Sequence, residues 1–333
     1  MHSRIADVLS SLADAGPASA LARLSTAGHD RLPLPGQGAT LDRWRALAAV
    51  GAHDLGLAKL FEGHTDALAI LHEAGATALA HQSPALWATW CAEPPDARLG
   101  LRMPDHGRFT LHGRKAWCSG ARDVTHAVIS CWTTDGAAML AAVDLRQPGV
   151  EVTGDGWHAV GMGASASVDV LFDGALATPL GDAGFYVARA GFWHGGAGVA
   201  ACWFGAATRL AAALQDRLAG RDDPHRLAQL GRATVALQGS AALLRQAAAA
   251  IDRDPGADAM ALALAVRLHI ETTCTTVLDA VGRALGAGPL CKDAALARLY
   301  ADLPVFLRQS HAERDLEALG RVVAAGEEAP WTL

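Results

Sequence analysis

The 333-residue sequence lacks the features that mark several large classes of protein. Its six cysteines include no Cys-x-x-Cys pair, which argues against a disulfide framework and predicts a reduced, cytoplasmic protein. Residues 1–12 contain no basic region followed by an apolar run, so we expect no secretory signal there. Charged residues such as Arg267 and Glu271 interrupt the apolar stretches before they reach the roughly 20 residues of a membrane helix, so no membrane partner is expected.

Charge and catalytic motifs exclude further classes of function. Lys and Arg total 28 against 34 for Asp and Glu, and no basic cluster forms a face suited to phosphates, so nucleic acid is not an expected partner. The sequence contains no His-Glu-x-x-His, no Walker loop and no Gly-x-Ser-x-Gly. We therefore expect no metal site and infer no Ser-His-Asp triad.

The sequence divides into three segments that differ in composition and in the spacing of their apolar residues. In residues 1–83, apolar side chains return repeatedly to one helical face, which predicts a helical domain. Residues 84–182 consist of short apolar runs separated by Gly, Asp and Pro, which predicts an antiparallel β domain. Residues 183–333 are alanine-rich, which predicts a four-helix bundle. The chain as a whole is therefore expected to belong to the α+β class. The long helices of the bundle are expected at 186–218, 225–251, 259–285 and 294–319.

A short motif in the β segment carries the strongest chemical indication. Residues 111–121 read LHGRKAWCSGA, with Trp117 followed two positions later by Ser119. A flat indole can pack on a flat cofactor ring, and a short hydroxyl can satisfy a buried polar atom of that ring. Together with the order of helices, β segment and helices, the motif resembles the acyl-CoA dehydrogenases. In that family a Trp-x-Ser/Thr contacts a flavin. The alternative is a hairpin with a core Trp and a turn Ser.

Further motifs in the β segment follow the same family in the same order. Residues 90–94 (WCAEP) resemble a strand ending in Thr-Glu-Pro, although the Gly-x-Gly-Ser-Asp loop that follows in the family is replaced here. Residues 155–173 resemble the last strands of the family's β domain. There Val168, Val170 and Phe172 alternate with polar and other residues and are expected to face the core. Asp169 and Asp173 are expected to face water, as in a strand with one buried face.

The C-terminal segment resembles the family at its cofactor-binding positions. Gly286 and Gly288 match a glycine-rich helix end that approaches the flavin, and a new helix is expected near Asp293. Arg221 stands where many relatives place an Arg that reaches the pyrophosphate of FAD bound mainly by a neighbouring subunit. The resemblance therefore implies FAD and a homodimer or homotetramer. Alternatively, residues 223 and 224 simply cap and open the next helix.

The position of the catalytic base departs from the family. Ser310 holds the place of the glutamate that removes a proton from the substrate, and Ala188 holds the place used by other relatives. Histidine exchanges protons near neutral pH, so the adjacent His311 is a candidate base, and Glu313 lies about one turn further along. The alternative is that residues 311–317 form a solvated helical surface.

Three functions remain open on these residues. The first is an FAD-dependent oxidoreductase that dehydrogenates an acyl thioester or a related small molecule with a displaced base, and passes electrons to a partner. The second is a flavin-dependent monooxygenase on the same scaffold, which receives reduced flavin from a partner reductase. The third is a family member that has lost catalysis. The first is the main expectation.

Overall fold

The structure is a computed structural model that describes residues 2–12, 14–80, 85–103, 107–326 and 331–332. The protein is mixed α and β, with helices before and after a run of strands. It forms two compact units from interleaved segments. The barrel unit comprises Asp7–Leu34 and Gly56–Phe192, and the helical unit comprises Met1–Ala6, Pro35–Leu55 and Trp193–Leu333. The three expected domains stay a prediction, and the boundary expected at residues 83 and 84 lies outside the described residues.

The elements have the following bounds. The helices are α1 (His2–Ser10), α2 (Pro17–Thr26), α3 (Thr40–His53), α4 (Leu55–Glu73), α5 (Thr77–Ala80), α6 (Phe185–Ala188), α7 (Gly191–Leu218), α8 (Pro224–Arg253), α9 (Met260–Leu285), α10 (Ala287–Lys292), α11 (Ala294–Phe306) and α12 (Glu313–Ala325). The strands are β1 (Trp87–Trp90), β2 (Gly100–Arg102), β3 (Phe109–Cys118), β4 (His126–Trp132), β5 (Ala138–Asp144), β6 (Val150–Val152) and β7 (Val168–Leu180).

Five of the strands close into a barrel. The pairings run β4–β2–β3–β7–β5 and return to β4, while β1 extends the sheet beside β4 and β6 beside β7. The expected antiparallel arrangement is incomplete, because β1 pairs with β4 in parallel and β2 meets β4 in parallel at Gly100 and Trp132. The reason is connectivity: β2 and β3 intervene between β1 and β4, so the chain returns before β4 and runs in the same direction as β1.

The barrel interior is built from the alternation expected of its strands. Val168, Val170 and Phe172 of β7 lie in the buried core, as predicted. The side chain of Asp173 is fully exposed, also as predicted. The prediction for Asp169 is wrong, because its side chain is buried and accepts a 2.7 Å hydrogen bond from the guanidinium of Arg114 on β3. An ion pair from a neighbouring strand thus overrides the local pattern.

The outer face of the barrel is covered by α4. Ile70 and Leu71 of that helix pack with Trp87, Val128 and Leu140 in a second buried cluster. Val128 belongs to this cluster, while its neighbours Ala127 and Ile129 belong to the cluster inside the barrel. This strand is therefore covered by apolar side chains on both faces. The short apolar runs of the sequence therefore reflect a barrel with a filled interior and a covered wall.

Of the four long helices expected in the C-terminal segment, two match their positions and two do not. The helix predicted at 186–218 is wrong at its start, because α6 ends at Ala188, the backbone at Arg189 is extended (ψ 142°) and α7 begins only at Gly191. Helices α8 and α9 agree with the predicted 225–251 and 259–285 to within two residues at each end. The continuous helix predicted at 294–319 is wrong. It is broken by a 3₁₀ turn at Leu307–Gln309, by extended backbone at Ser310 (ψ 140°) and by a left-handed φ of 46° at Ala312. Ala312 N–H bonds to the Ser310 hydroxyl instead of continuing the helix ladder.

Glycines allow α3 and α7 to approach at backbone distance within the helical unit. A side-chain carbon on Gly205 of α7 would overlap the carbonyl oxygen of Ala48, and one on Gly51 of α3 would overlap the carbonyl oxygen of Cys202. Each helix therefore supplies a glycine where the other's main chain passes. Real Cβ atoms do not tolerate such contacts, so glycine is a steric requirement at both positions.

Among the residues that the structure describes, two helices are long and apolar enough to span a membrane by length and composition alone. In α7, however, 78% of the most apolar window is buried within the fold, and in α9 the share is 39%. Core helices of globular folds meet the same criterion, so this is weak evidence for a membrane protein.

Candidate functional site

Trp117 occupies an unusual position on the barrel wall. Between Lys115 and Cys118 the pairing of β3 with β7 shifts register, so that Ala116 and Trp117 together face one residue of the partner strand. This bulge gives Trp117 a left-handed φ of 58°, which is strained for a residue with a bulky side chain. Its side chain remains 49% exposed. The alternative of a core Trp is therefore wrong, and the bulge presents a flat aromatic surface.

Ser119 lies two residues after Trp117 and belongs to a buried chain of hydroxyls. Its Oγ lies 2.8 Å from Oγ of Ser167, which in turn lies 2.8 Å from Oγ of Ser165. The Ser165 hydroxyl donates to the backbone carbonyl of Met162 at 2.7 Å. The backbone at Ser119 is also held, because Nε1 of Trp90 donates to its carbonyl at 3.0 Å. The expected hydroxyl is thus held by Ser167, and its backbone by Trp90, rather than being free in a turn.

The loop that carries this chain is itself strained. Met162 has a φ of 59° and Ala166 a φ of 44°, on either side of the 3₁₀ turn Gly163–Ser165. Gly120 N–H bonds to the Ser165 carbonyl at 2.8 Å, which ties the loop to the end of β3. Left-handed residues other than glycine are uncommon and collect at functional sites, where surrounding structure holds them. Such conformations therefore surround the hydroxyl chain as well as Trp117.

A buried ion pair supports β3 just before the bulge. Lys115 is fully buried, and its Nζ donates to Oε1 of Glu93 at 2.7 Å and to the Ser130 carbonyl at 2.9 Å. Burial alone would raise the pKa of Glu93, but hydrogen bonds from Lys115, Ser130 and Trp132 lower it below its ordinary value. The carboxylate therefore stays ionised and keeps Lys115 paired. Residues 113–118 belong to one continuous, bulged strand.

In the helical unit, Ser310 lies at the break between α11 and α12. It is only 6% exposed. Arg267 of α9 fixes the break, because its guanidinium donates to the carbonyl of Gln309 at 2.8 Å and to the carbonyl of Gly196 at 2.7 Å. The same guanidinium lies 5.0 Å from the ring centre of Trp203. The position predicted to hold the catalytic glutamate is therefore a rigid, buried site that carries a hydroxyl.

His311 and Glu313 differ in their surroundings. The His311 side chain is 63% exposed, and its Nδ1 lies 3.4 Å from a carboxylate oxygen of Asp315. The backbone N–H of His311 also donates to Asp315, at 3.1 Å. A carboxylate against one ring nitrogen orients the imidazole and leaves the other nitrogen for proton exchange. Glu313 is exposed at the first turn of α12. The solvated-surface alternative fits Glu313 better than it fits His311.

The glycine-rich segment and Arg221 are also in this unit. Gly286 ends α9 with φ 65° and ψ −168°, a conformation that is essentially restricted to glycine. Gly286 and Gly288 both have open space where a side chain would project. The helix predicted near Asp293 begins there, since the Asp293 carboxylate caps α11. Arg221 is exposed, and its role as an anion clamp stays a prediction. The alternative for the neighbouring residues is confirmed, because Asp223 caps α8 and Pro224 opens it.

His194 of α7 is one of fourteen histidines in the sequence, and its position in the structure is buried. It is 3% exposed, and its Nδ1 has no hydrogen-bond partner among the described residues. Burial lowers the pKa of His194, and the nearby Asp252 only partly offsets this. A side chain on Gly36 would lie 2.6 Å from Nδ1, so glycine is needed beside the ring.

Ser165 and Ser167 are the members of the barrel site that the sequence did not reveal. Residues 163–167 read as turn residues, and nothing local indicates that two hydroxyls lie against Ser119. Their spacing gives no signal either, because Ser165 lies in a 3₁₀ turn and the left-handed Ala166 separates it from Ser167. Their contact with Ser119 becomes apparent only from the pairing of β3 with β7 at Cys118 and Val168.

Of the comparisons with known proteins, the one with solved structures gives matches. No family model matches the sequence, and no curated protein matches it. Among solved structures, dibenzothiophene monooxygenase TdsC from Paenibacillus sp. A11-2 is 18% identical with a TM-score of 0.81, covering 96% of each chain. TdsC has also been solved with FMN, and with FMN and indole.

Two further solved structures are also similar over nearly the whole chain. Nitrososynthase from Micromonospora carbonacea var. africana is 20% identical with a TM-score of 0.79, covering 97% of this chain and 94% of its own. Methanesulfinate monooxygenase MsuC from Pseudomonas fluorescens is 20% identical with a TM-score of 0.76, covering 99% and 97%. At such identities the likeness shows the fold, and it confirms the resemblance drawn from the motifs. The chain is a divergent representative of the acyl-CoA dehydrogenase-like fold.

Proposed function

We propose that this protein is a flavin-dependent monooxygenase that uses FMN and acts on a small molecule. Ser310 carries this proposal. At a buried, rigid position where the dehydrogenases place a carboxylate base, this chain holds a hydroxyl, and the alternative base position is Ala188. A serine hydroxyl does not take up a proton at neutral pH, whereas α,β-dehydrogenation requires a base. Similarity over nearly the whole chain to two monooxygenases and a nitrososynthase supports the same reading.

The barrel site fits a flavin. Trp117 offers a half-exposed aromatic surface on a bulge, and Ser119 offers a positioned hydroxyl two residues away. The strained φ of Trp117 costs free energy and persists only because surrounding structure holds it, which is typical of a ligand platform. These two residues would hold the isoalloxazine ring. Reduced flavin supplies two electrons to O2, so that one oxygen atom enters the substrate and the other leaves as water.

FMN suits this chain better than the expected FAD. TdsC was solved with FMN. Arg221 was expected to contact the pyrophosphate of FAD, a group that FMN lacks. Arg221 is exposed and could meet a single phosphate equally well. FMN delivered from a separate reductase is compatible with a site that exchanges its cofactor.

His311 is the residue that we assign to proton transfer. Its ring is oriented by Asp315 on one nitrogen, and its exposure leaves the other nitrogen open to a substrate or to water. In a monooxygenase such a group would hold a proton for the departing oxygen atom or accept one from the substrate. Glu313 lacks an orienting partner of this kind and is assigned no role in the reaction.

The proposal is tested with the purified full-length chain. FMN binding is measured by fluorescence titration, and turnover is then assayed with FMN, NADH and a flavin reductase on indole, an organosulfur compound and an amine. We expect substrate-dependent oxygen uptake and a product that carries ¹⁸O from ¹⁸O2. Anaerobic bleaching of bound flavin by an acyl-CoA, without oxygenated product, would instead establish dehydrogenation. Absence of binding by FMN and FAD alike would favour the inactive scaffold.

A further inference from the structure

The barrel unit carries a cleft at the end of β3 that is far from Trp117. The cleft has a volume of about 580 Å³, which is within the range of small-molecule sites, and every residue that lines it belongs to this unit. Phe109 begins β3 and lines the cleft, whereas Trp117 lies eight residues further along the same strand. At about 3.3 Å per residue, roughly 25 Å separates the two. The cleft is therefore distinct from the aromatic platform.

The wall of the cleft is mainly apolar. Leu176 of β7 is a large side chain that is 44% exposed, so apolar surface at the cleft is open to water instead of packed in the core. A ligand that covers such surface gains from its removal from water. The larger apolar residues of the wall come from α5, β1, β3, β5 and β7, and they are Leu79, Trp87, Phe109, Val143, Leu176 and Pro179.

His126 places a polar group in this wall. It is only 5% exposed, and its ring packs on that of Trp87 with the ring centres 4.8 Å apart, so its position is fixed. Its Nδ1 lies 2.8 Å from the Thr125 hydroxyl. Its Nε2 has no hydrogen-bond partner among the described residues, since the Asp144 carboxylate is 4.0 Å away. Nε2 is therefore the ring nitrogen that is left for a ligand.

The surroundings of His126 allow Nε2 to donate. Burial lowers the pKa of His126, and Asp144 only partly offsets this, so the ring is neutral at pH 7. The Thr125 hydroxyl rotates and can donate to Nδ1, at 2.8 Å, or to the Leu86 carbonyl, at 3.1 Å. Both tautomers of the ring are thus compatible with the fold. An acceptor on a ligand selects the tautomer with the proton on Nε2, and Nδ1 keeps a partner in Thr125.

The charges at the cleft favour a monoanion. Arg108 is exposed, lines the cleft and has no ion-pair partner among the described residues. Asp144 is already balanced, because it accepts from the backbone N–H of Arg146 at 2.9 Å and from its Nε at 3.3 Å. One positive charge is therefore left over. A carboxylate matches it, since one of its oxygens can accept from a guanidinium and the other from an imidazole N–H.

We propose that this cleft is a second small-molecule site that binds a carboxylate with an apolar body. Arg108 and Nε2 of His126 hold the carboxylate, and the apolar wall, including Leu176, covers the body. A dianion fits less well, because its second charge would lie unpaired near Asp144. The inference does not depend on the proposed function, since none of these residues belongs to the candidate flavin site.

Isothermal titration calorimetry of the full-length chain tests the class of ligand. The probes are octanoate, the neutral octanamide and the cationic octylammonium, which share one apolar body and differ in charge. We expect one site per chain that binds octanoate more tightly than either of the others. Titration with 2-naphthoate distinguishes two kinds of body: tighter binding than octanoate assigns an aromatic body, and weaker binding assigns an aliphatic one.

Four variants test the residues, with circular dichroism to verify folding. Arg108→Gln should weaken octanoate binding by roughly 2- to 5-fold, as for an exposed ion pair, and leave octanamide binding unchanged. Arg31→Gln is the matched control, because Arg31 is an exposed arginine of the same unit outside the cleft. Leu176→Asn removes apolar contact and should weaken both probes by the same factor. Leu176→Asp should weaken octanoate at least about fivefold more than Leu176→Asn does, since two negative charges then share the cleft.

The outcomes decide the inference separately from the proposed function. A preference for octanoate over octanamide that falls in R108Q and L176D but not in R31Q supports it. Equal affinity for octanoate and octanamide overturns it, as does an R108Q variant that behaves like R31Q. Absence of binding by octanoate and 2-naphthoate alike also overturns it. Displacement of octanoate by FMN overturns it too, because the carboxylate would then occupy the flavin site. If L176D does not fold, R108Q decides by itself. The flavin-dependent reaction is tested by FMN binding and oxygen uptake, which none of these outcomes measures.

Discussion

Arg267 and Gln309 are joined by a 2.8 Å hydrogen bond from a guanidinium to a backbone carbonyl, one residue before Ser310. The same guanidinium donates to the carbonyl of Gly196. The break between α11 and α12 is thus held from α9, and the orientation of Ser310 and His311 depends on a residue 43 positions away from Ser310 in the sequence.

Replacing Arg267 should therefore lower the free energy of unfolding more than replacing a surface arginine does. We expect Arg267→Met to lower the free energy of unfolding by about 2–4 kcal/mol, since two carbonyls lose a charged donor. Urea unfolding followed by circular dichroism measures it. Arg298→Met is the control, because Arg298 is 61% exposed and its ion-pair contact to Asp54 is long, at 3.9 Å. Equal losses in the two variants would contradict this role for Arg267.

Trp117 should matter more for binding than for stability. We expect Trp117→Ala to raise the dissociation constant of FMN about tenfold, because stacking on an aromatic ring contributes about 0.5–1.5 kcal/mol beyond area burial. The unfolding free energy should change little, since the side chain is half-exposed and alanine keeps the same left-handed backbone that tryptophan has there. Trp331→Ala, at a 75% exposed position, is the control and should leave FMN binding unchanged. A large loss of stability with unaltered FMN affinity would assign Trp117 to the fold alone.

His311 and Glu313 can be distinguished by single substitutions. Removing a positioned proton-transfer group costs about 10²- to 10⁴-fold in rate, so His311→Asn should reduce oxygenated product at least 100-fold. Glu313→Gln should change the rate less than twofold, because Glu313 is exposed on the first turn of α12. His158→Asn, at a 90% exposed side chain, serves as the control. The opposite ranking of His311 and Glu313 would transfer the role to Glu313.

His194 predicts a pH dependence of stability. Burial lowers the pKa of this side chain below 6.5 in the folded state. The unfolded state therefore binds more protons at mildly acidic pH, so the unfolding free energy falls as the pH falls through 6.5 and continues to fall until the folded-state pKa is reached. Urea unfolding at pH 7.5 and pH 5.5 should show a smaller difference for His194→Phe than for the wild type. His158→Phe should leave the difference unchanged, and an unaltered difference in His194→Phe would refute the assignment.

The glycine contacts of α3 and α7 predict a steric effect. Gly205→Ala should lower the free energy of unfolding by about 1–3 kcal/mol or more, because the added carbon meets the carbonyl of Ala48. At Gly196 of the same helix, nothing lies within 4 Å of an added side-chain carbon. Gly196→Ala should therefore be neutral or stabilising by up to about 1 kcal/mol, as expected from helix propensity. Thermal denaturation compares the two, and similar losses at both would show that the close approach is not specific.

Local patterns predicted much of the fold. The spacing of Val168, Val170 and Phe172 identified a strand and its buried face, because the side-chain period of a strand is independent of its partners. Asp293 and Asp223 were correctly expected to begin helices, since capping needs only the residue and its own next turn. Such features are encoded within a few residues.

Features set by distant residues were not predictable in this way. Asp169 was expected in water but is buried by Arg114, 55 positions earlier. The predicted helix 294–319 ignored the break at Ser310, which Arg267 holds. Ser165 and Ser167 gained a role only through the pairing of β3 with β7. In each case the deciding partner lies on another element, and no local pattern reports it.

The hydroxyl chain ends on the main-chain oxygen of Met162, and this affects which substitutions the site can tolerate. Every amino acid carries that oxygen, so a substitution at position 162 does not by itself remove the acceptor. The backbone there is left-handed, with a φ of 59°, and the Met162 side chain is only 3% exposed. Replacements at this position are therefore limited twice, because glycine suits the backbone but loses the buried side chain, whereas other apolar residues keep the burial and bear the backbone strain.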